Sequence, residues 1–366
     1  MPSTPPTTTA EILETGTIDP AFTTALESRP IPTGTSYSLA DLKQQSASSL
    51  APLQQRLSAS RPSDITETQH FISLRDDYPS RIIICHQTSA LERTSPAPLI
   101  ILFHGGGHCL GHPEDELPLA REIAATHSAI VICASYRLAP EFPFPFSICD
   151  AWEMLEFAAS ESRKSKSAIL PRCTDARTGF IVGGTSSGAN LAASLAHLAR
   201  DHNLFPPLTG QFLCAGTYIA DSNVPAKYKQ RYLSFEQSRG APILDERLSK
   251  MFREAFKPDL SSKLYASFDQ HHPLDEGTGS VRHGHLGVAP AYFQVCGMDM
   301  FRDDGLIYER VLREECGVST RMDLYAGWGH CWRSVFPELE MSRKRMKDAV
   351  DGIGWLLEVG SKKDGC

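Results

Sequence analysis

The stretch Gly184-Thr185-Ser186-Ser187-Gly188 sets a serine between two glycines in the pattern G-x-S-x-G. A serine hydroxyl is a weak nucleophile until a neighbouring base takes its proton, and a sharp turn that exposes the hydroxyl is one way to let base and substrate reach it. At average glycine and serine usage the pattern arises by chance only about 0.1 times in a chain of this size, so its surroundings decide its meaning. Phe180-Ile181-Val182-Gly183 reads as an apolar strand running in, and Ala189–Ala196 as a helix running out. That strand–turn–helix frame stands Ser186 Oγ at the carboxyl end of a strand, near the positive end of the following helix. A Ser/Gly turn that merely caps a helix is the plainer alternative, and the strand directly upstream weighs against it.

A second cluster is His104-Gly105-Gly106-Gly107, directly after the β-rich run Leu99–His104. Without Cβ atoms, successive peptide N–H groups can point at one spot where negative charge develops on a carbonyl oxygen. The N–H of Ser187, one residue past the nucleophile, would complete such a cradle. Each donor of this kind lowers a barrier by about 3 kcal/mol. His104, His108 and His112 also lie four apart, as zinc ligands on one helix face would, but the intervening glycines, Gly111 and Pro113 disfavour a helix. No metal is expected there. His271, His272, His283 and His285 read as solvated loop histidines.

These groups need a scaffold, and apolar runs supply one. Arg81–Gln87, Leu99–His104, Ala129–Ser135, Gly179–Gly183, Phe212–Gly216, Ala291–Cys296 and Thr320–Leu324 read as strands. Helical patterns at Leu117–Ala125, Cys149–Ser160, Gly188–Arg200, Asp304–Glu315 and Pro337–Val359 separate most of them. Continuously apolar strands alternating with helices imply an α/β fold with a mostly parallel central sheet flanked by helices. Residues 1–10 read as disordered, and 11–60 as helical segments between prolines. Tyr218–Pro258, with a weak helix at Glu246–Phe256, is too long for a plain connection and reads as an insertion; Ser261–Gly287 reads as loop.

Composition excludes several classes. With 36 Lys+Arg against 43 Asp+Glu the net charge is −7, which disfavours nucleic acid as a partner. Apolar runs are strand-length, so no membrane span is expected. Met1–Thr9 lacks the charged and apolar regions of a secretory signal, and the ten cysteines include no CxxC pair. Both point to reduced thiols and a cytoplasmic protein. Cys109 and Cys331 lie near His104 and His330 in sequence; neither is at an elbow, and both read as packing residues that could make the protein sensitive to thiol reagents.

Taken in order, His104–Gly107, then Tyr136-Arg137-Leu138-Ala139-Pro140-Glu141-Phe142-Pro143-Phe144-Pro145, then Asp150-Ala151-Trp152, then the Ser186 turn, the chain resembles the hormone-sensitive-lipase-like branch of the α/β-hydrolase superfamily, from about Arg81 to Leu357. The resemblance implies a triad acid and a histidine after the nucleophile. Gly297-Met298-Asp299-Met300-Phe301-Arg302-Asp303-Asp304-Gly305 is similar to the family's acid segment and implies Asp299, with Asp303 as runner-up and Met300 and Phe301 as departures. The plainer role of Asp303 and Asp304 is first-turn charge on a helix. His330 follows the last strand in Tyr325-Ala326-Gly327-Trp328-Gly329-His330-Cys331-Trp332, where a neutral imidazole could accept the Ser186 proton. Glu141 and its prolines would buttress the oxyanion loop. The family likeness implies a serine carboxylester hydrolase for small or medium acyl esters of a small molecule, using Ser186, Asp299 and His330 with His104, Gly105, Gly106, Gly107 and Ser187 at the oxyanion hole, and needing no cofactor. It divides the chain into N-terminal cap helices (1–70), a first core part (71–217), a cap insertion (218–258) and a second core part (259–366), with residues 1–70 and 218–258 shaping the acyl and alcohol pockets. The same machinery serves lactones, thioesters, aryl amides or acyl transfer, and non-catalytic receptors on this fold lack a triad residue. Between a monomer and a homodimer the sequence does not choose.

Overall fold

The computed structural model describes residues 5–31, 37–220, 224–265, 268 and 284–361. Its centre is an eight-stranded sheet in the order β1-β2-β4-β3-β5-β6-β7-β8, with β1 Ile65–Ser73, β2 Pro79–Gln87, β3 Leu99–Phe103, β4 Ile130–Ala134, β5 Phe180–Thr185, β6 Gly210–Cys214, β7 Ala291–Met298 and β8 Thr320–Gly329. β1 and β2 pair antiparallel, as do β2 and β4; every other pairing is parallel. The inner strands β3 and β4 are apolar throughout because both faces are covered. In β3, Leu99, Ile101 and Phe103 join one core cluster while Ile100 and Leu102 join the cluster on the opposite face, the period-two alternation of a strand.

Among the described residues ten helices surround the sheet: α1 Thr9–Glu14, α2 Pro20–Ser28, α3 Leu39–Ala59, α4 Leu117–His127, α5 Phe146–Glu161, α6 Ser187–Asp201, α7 Ser234–Gln237, α8 Glu246–Phe256, α9 Arg302–Arg310 and α10 Glu340–Ser361. Local chemistry sets several starts. Reciprocal capping boxes open α1 (Thr8 with Glu11) and α3 (Ser38 with Asp41), and Asp245 caps α8 through the Leu248 N–H at 2.8 Å. None of the described helices is long and apolar enough to cross a membrane.

Three differences from the sequence reading have physical causes. Residues 5–10 are not featureless: α1 begins at Thr9 because its cap is complete. β1 escaped notice because it is an edge strand with one wet face, carrying Thr, Glu, Gln and His among few buried residues; pairing with β2 defines it. It straddles residue 70, so the N-terminal segment adds a strand as well as helices. Ser261–Gly287 lies largely outside the described residues, as do His271, His272 and His283. His285 is described and is not solvated: it is buried, with Nδ1 2.9 Å from His197 Nε2.

The segment after β4 is held by one buried carboxylate. Asp150 accepts from the Arg137 backbone N–H (2.9 Å), from Arg137 Nε (3.0 Å) and Nη2 (2.7 Å), and pairs with Arg75 Nη2 at 2.9 Å. The Arg137 guanidinium also lies 4.8, 5.3 and 4.7 Å from the ring centres of Tyr78, Phe142 and Phe146. This clamp fixes Arg137–Phe146 over the loop that follows β3. Asp150→Ala leaves a buried guanidinium without its carboxylate and is expected to cost about 3–5 kcal/mol. Urea unfolding checks this, and a loss under about 1 kcal/mol would show that the aromatic rings and the exposed Asp76, 3.7 Å from Arg137 Nη1, suffice.

Candidate active site

The strand order puts the sequence-predicted groups together. β3 and β5 are neighbours, with Phe103 opposite Gly184, yet the chain leaves β3 toward β4 on its other side. The loops after β3 and β5 therefore emerge side by side at the carboxyl edge, the crevice where open α/β sheets bind ligands.

Between β5 and α6 the chain turns in a single residue. Ser186 has φ 57° and ψ −118°, a conformation unfavourable for a residue with a side chain, and its N–H donates to Cys214 O at 2.8 Å. The turn needs glycine at both flanks because β3 runs against it. A Cβ on Gly188 would stand 1.9 Å from Phe103 O, and one on Gly184 2.4 Å from the same oxygen.

His330 follows β8 directly, and Cys331 in the left-handed region turns the chain away behind it. His330 Nε2 lies 2.9 Å from Ser186 Oγ and Nδ1 2.7 Å from Asp299 Oδ2. A carboxylate only accepts, so Nδ1 carries the proton and the Nε2 lone pair faces the serine hydroxyl. Asp299, 1% exposed, stands at the end of β7, and its Oδ1 accepts the Phe301 N–H at 3.0 Å. The Phe301 ring meets the imidazole edge-on at 5.8 Å. Asp303 is directed elsewhere: its Oδ2 accepts the N–H groups of Leu233 (2.5 Å) and Ser234 (2.6 Å), and its Oδ1 takes Arg302 Nε (2.8 Å). Asp304 accepts the N–H groups of Tyr218 (2.7 Å) and Ile219 (2.8 Å). Both fasten the insertion to α9, a role beyond first-turn helix charge.

The triple-glycine loop lies against the elbow: a Cβ on Gly105 would be 3.2 Å from Ser186 Cβ. Its peptides are anchored from behind. The carbonyl of Gly105 accepts from His104 Nδ1 (2.8 Å), that of Gly106 from the N–H groups of Cys109 (3.0 Å) and Leu110 (2.9 Å), and that of Ser186 from those of Ala189 (2.9 Å) and Asn190 (3.1 Å). In a trans peptide the N–H points opposite to the carbonyl, so the N–H groups of Gly106, Gly107 and Ser187 are turned to the other side. Those same residues line the cavity that holds Ser186 and His330. Burial lowers the basicity of His104, which keeps the ring neutral with its proton on Nδ1 for Gly105. Its ring stacks on Tyr136 at 4.4 Å, and Tyr136 OH donates to His104 O at 2.8 Å. Tyr136, a buried buttress, was missed as an individual residue although it stood inside a recognised segment.

His104, His108 and His112 go to three different partners. His108 stacks on Phe256 at 4.0 Å and His112 Nε2 meets Ser46 Oγ at 3.2 Å. Burial pushes the Cys109 thiol up to about 12 and the Cys331 thiol well above its usual range, so neither is a ready thiolate.

The cavity measures about 580 Å³. Leu248, Phe252 and Phe256, on one face of α8, cover it from the insertion, and Phe252 packs where a Gly107 Cβ would go (2.4 Å). None of the described residues 5–70 lines it. Here the expectation that the N-terminal segment shapes the pockets needs correcting. α3 instead stands behind the β3 loop, where Lys43 reaches Ala139 O (2.9 Å) and Glu141, and Gln54 Nε2 donates to Glu114 at 2.6 Å. Its polar composition suited a buttress that binds loops through hydrogen bonds more than a wall of an apolar pocket.

Gly188→Ala, with no space for its methyl beside Phe103 O, is expected to move β3 and the elbow apart and cost about 1–3 kcal/mol. Thermal unfolding reads this, and an unchanged midpoint would refute the packing argument.

Residues 100–334 match the sequence profile of the alpha/beta hydrolase fold family. An AB hydrolase superfamily protein of Schizosaccharomyces pombe is 29% identical over 88% of this chain and 87% of its own length. The versiconal hemiacetal acetate esterase of Dothistroma septosporum is 29% identical over 72% of this chain and 74% of its own. Among solved structures, vibralactone cyclase superposes with a TM-score of 0.81 at 26% identity, covering 95% of this chain and 97% of its own. With its strand order, its elbow after β5 and a profile match across most of its length, the chain belongs to the alpha/beta hydrolase fold family.

Proposed function

We propose that the protein is a serine carboxylester hydrolase acting on small or medium acyl esters through Ser186, His330 and Asp299. The observation that carries this reading is the hydrogen-bonded chain Asp299–His330–Ser186, at 2.7 and 2.9 Å, opening into the cavity. His330 Nε2 takes the Ser186 proton as Oγ attacks the carbonyl carbon, and Asp299 stabilises the imidazolium that forms. The N–H groups of Gly106, Gly107 and Ser187 hold the oxyanion, with Gly105 and His104 shaping the loop. His330 then passes its proton to the departing alcohol, takes one from water, and the hydroxide so formed releases the acyl group. The insertion 218–258, through α8, acts as the cap that shapes the substrate pocket.

Relatives named as esterases support ester hydrolysis. The likeness to a cyclase favours a second reading on the same machinery: the acyl-enzyme is released by a hydroxyl of the substrate instead of water. Product analysis separates them, since only hydrolysis liberates a free acid.

A fluorophosphonate probe is expected to label the wild-type protein and not Ser186→Ala, and that variant is expected to lose about 10⁴-fold or more in kcat on para-nitrophenyl acetate. A folded wild-type protein that stays unlabelled would overturn the hydrolase reading. Asp299→Asn is expected to lose about 10⁴-fold through the wrong histidine tautomer. A greater loss in Asp303→Asn would move the acid role there.

A further inference from the structure

Part of the cavity lining takes no part in the proposed chemistry and defines one arm of the site. Its wall is made by Thr185, Cys214 and Gln294 from the sheet, Glu116 at the start of α4, Arg333, and Arg345 from α10. Arg345 is 6% exposed, yet no carboxylate pairs with it among the described ion pairs. Its Nη2 donates to Cys214 Sγ, its guanidinium lies 5.1 Å from the centre of the Trp332 ring, and its Nε has no hydrogen-bond partner. A thiol is a poor acceptor and a ring face is only a partial substitute for water, so this buried cation is left undersatisfied. Arg333 stands close by, and burial together with Arg345 pushes it down to about 10. Glu116 is the acid of the arm; burial pushes its carboxyl up to about 7 against the pull of Arg333 and Arg345, and it bonds Thr185. Asp115 on the exposed rim is the other acid lining the cavity, against three arginines, Arg253, Arg333 and Arg345.

The arm is tied to the nucleophile. Cys214 offers its carbonyl to the Ser186 N–H at 2.8 Å and its sulfur to Arg345, so one residue separates the guanidinium from the elbow. We infer that this arm is an anion subsite, in which Arg345, assisted by Arg333, selects esters that carry a carboxylate a few bonds from the scissile carbonyl. A planar carboxylate matches the fork of a guanidinium and supplies the acceptor that Nε lacks. In its protonated form Glu116 donates to such a carboxylate instead of repelling it. The inference rests on the hydrolase reading, because it names the substrate class of that site.

The test compares matched esters of equal length. On the acyl side, para-nitrophenyl hydrogen glutarate is set against para-nitrophenyl valerate; on the alcohol side, para-acetoxyphenylpropionate against para-propylphenyl acetate. The expected result is a preference of about tenfold or more in kcat/KM for the acid member of one pair, which also tells which side of the ester enters the arm. Arg345→Met, of similar length without the charge, is expected to bring that ratio near one, Arg345→Lys to keep part of it, and Arg333→Met to reduce it. A merely structural Arg345 would lower both members of a pair alike. Preference for the neutral member in both pairs, or a ratio that survives Arg345→Met, overturns the inference. Should Arg345→Met fail to fold, the wild-type ratios and Arg333→Met decide it. Calorimetry of monomethyl glutarate on Ser186→Ala separates the two claims: binding that requires Arg345 without turnover of any ester sinks the hydrolase reading and leaves the anion subsite, whereas turnover of neutral esters without such binding does the reverse.

Discussion

The arrangement of the site depends on how closely β3 and the β5–α6 elbow can approach. Phe103 O sits where Cβ atoms of Gly184 and Gly188 would be, so only glycine at both positions lets the two parallel strands end flush. That contact brings the triple-glycine loop within van der Waals distance of Ser186 and sets Ser186 at φ 57°. The strain is local and is sustained by the surrounding hydrogen bonds, among them Ser186 N–H to Cys214 O. Parallel pairing of β5 through β8 then delivers the loops bearing Asp299 and His330 to the same edge.

Around this contact, rigidity is built from carbonyls. The peptides that end at the N–H groups of Gly106, Gly107 and Ser187 are fixed through their carbonyls, by His104, by Cys109 and Leu110, and by Ala189 and Asn190. Donors held in this way need little reorganisation when charge develops before them, which is what gives such cradles their catalytic value. Tyr136 and the Arg137–Asp150 clamp support the same loop from below, and α3 supports it from behind. The cover over the cavity is attached differently. Asp303 and Asp304 grip backbone N–H groups at Leu233, Ser234, Tyr218 and Ile219, so the insertion is anchored to α9 a few residues from Asp299. The insertion and the Asp299 loop thereby share one short helix as a foundation.

The sequence by itself determined the strands that are apolar throughout, the helix that follows Ser186 and the glycine loop after β3, because each is specified by local periodicity or by residues with special backbone freedom. It also marked Ser186 by its strand–turn–helix frame and, through the family resemblance, Asp299 and His330 as candidates. Tertiary structure decided what local signals do not encode. Edge strand β1 exists by pairing, His285 is buried by a partner 88 positions away, and α3 became a buttress because its polar face met loop carbonyls and carboxylates. The choice between Asp299 and Asp303 as neighbour of His330 turned on which way each carboxylate points at the end of β7. Arg345, on a charged stretch of α10, resembled any solvated lysine or arginine until packing enclosed it beside Cys214. Burial is a property of the assembled layers, and a charge acquires its meaning only from the neighbours that folding brings to it.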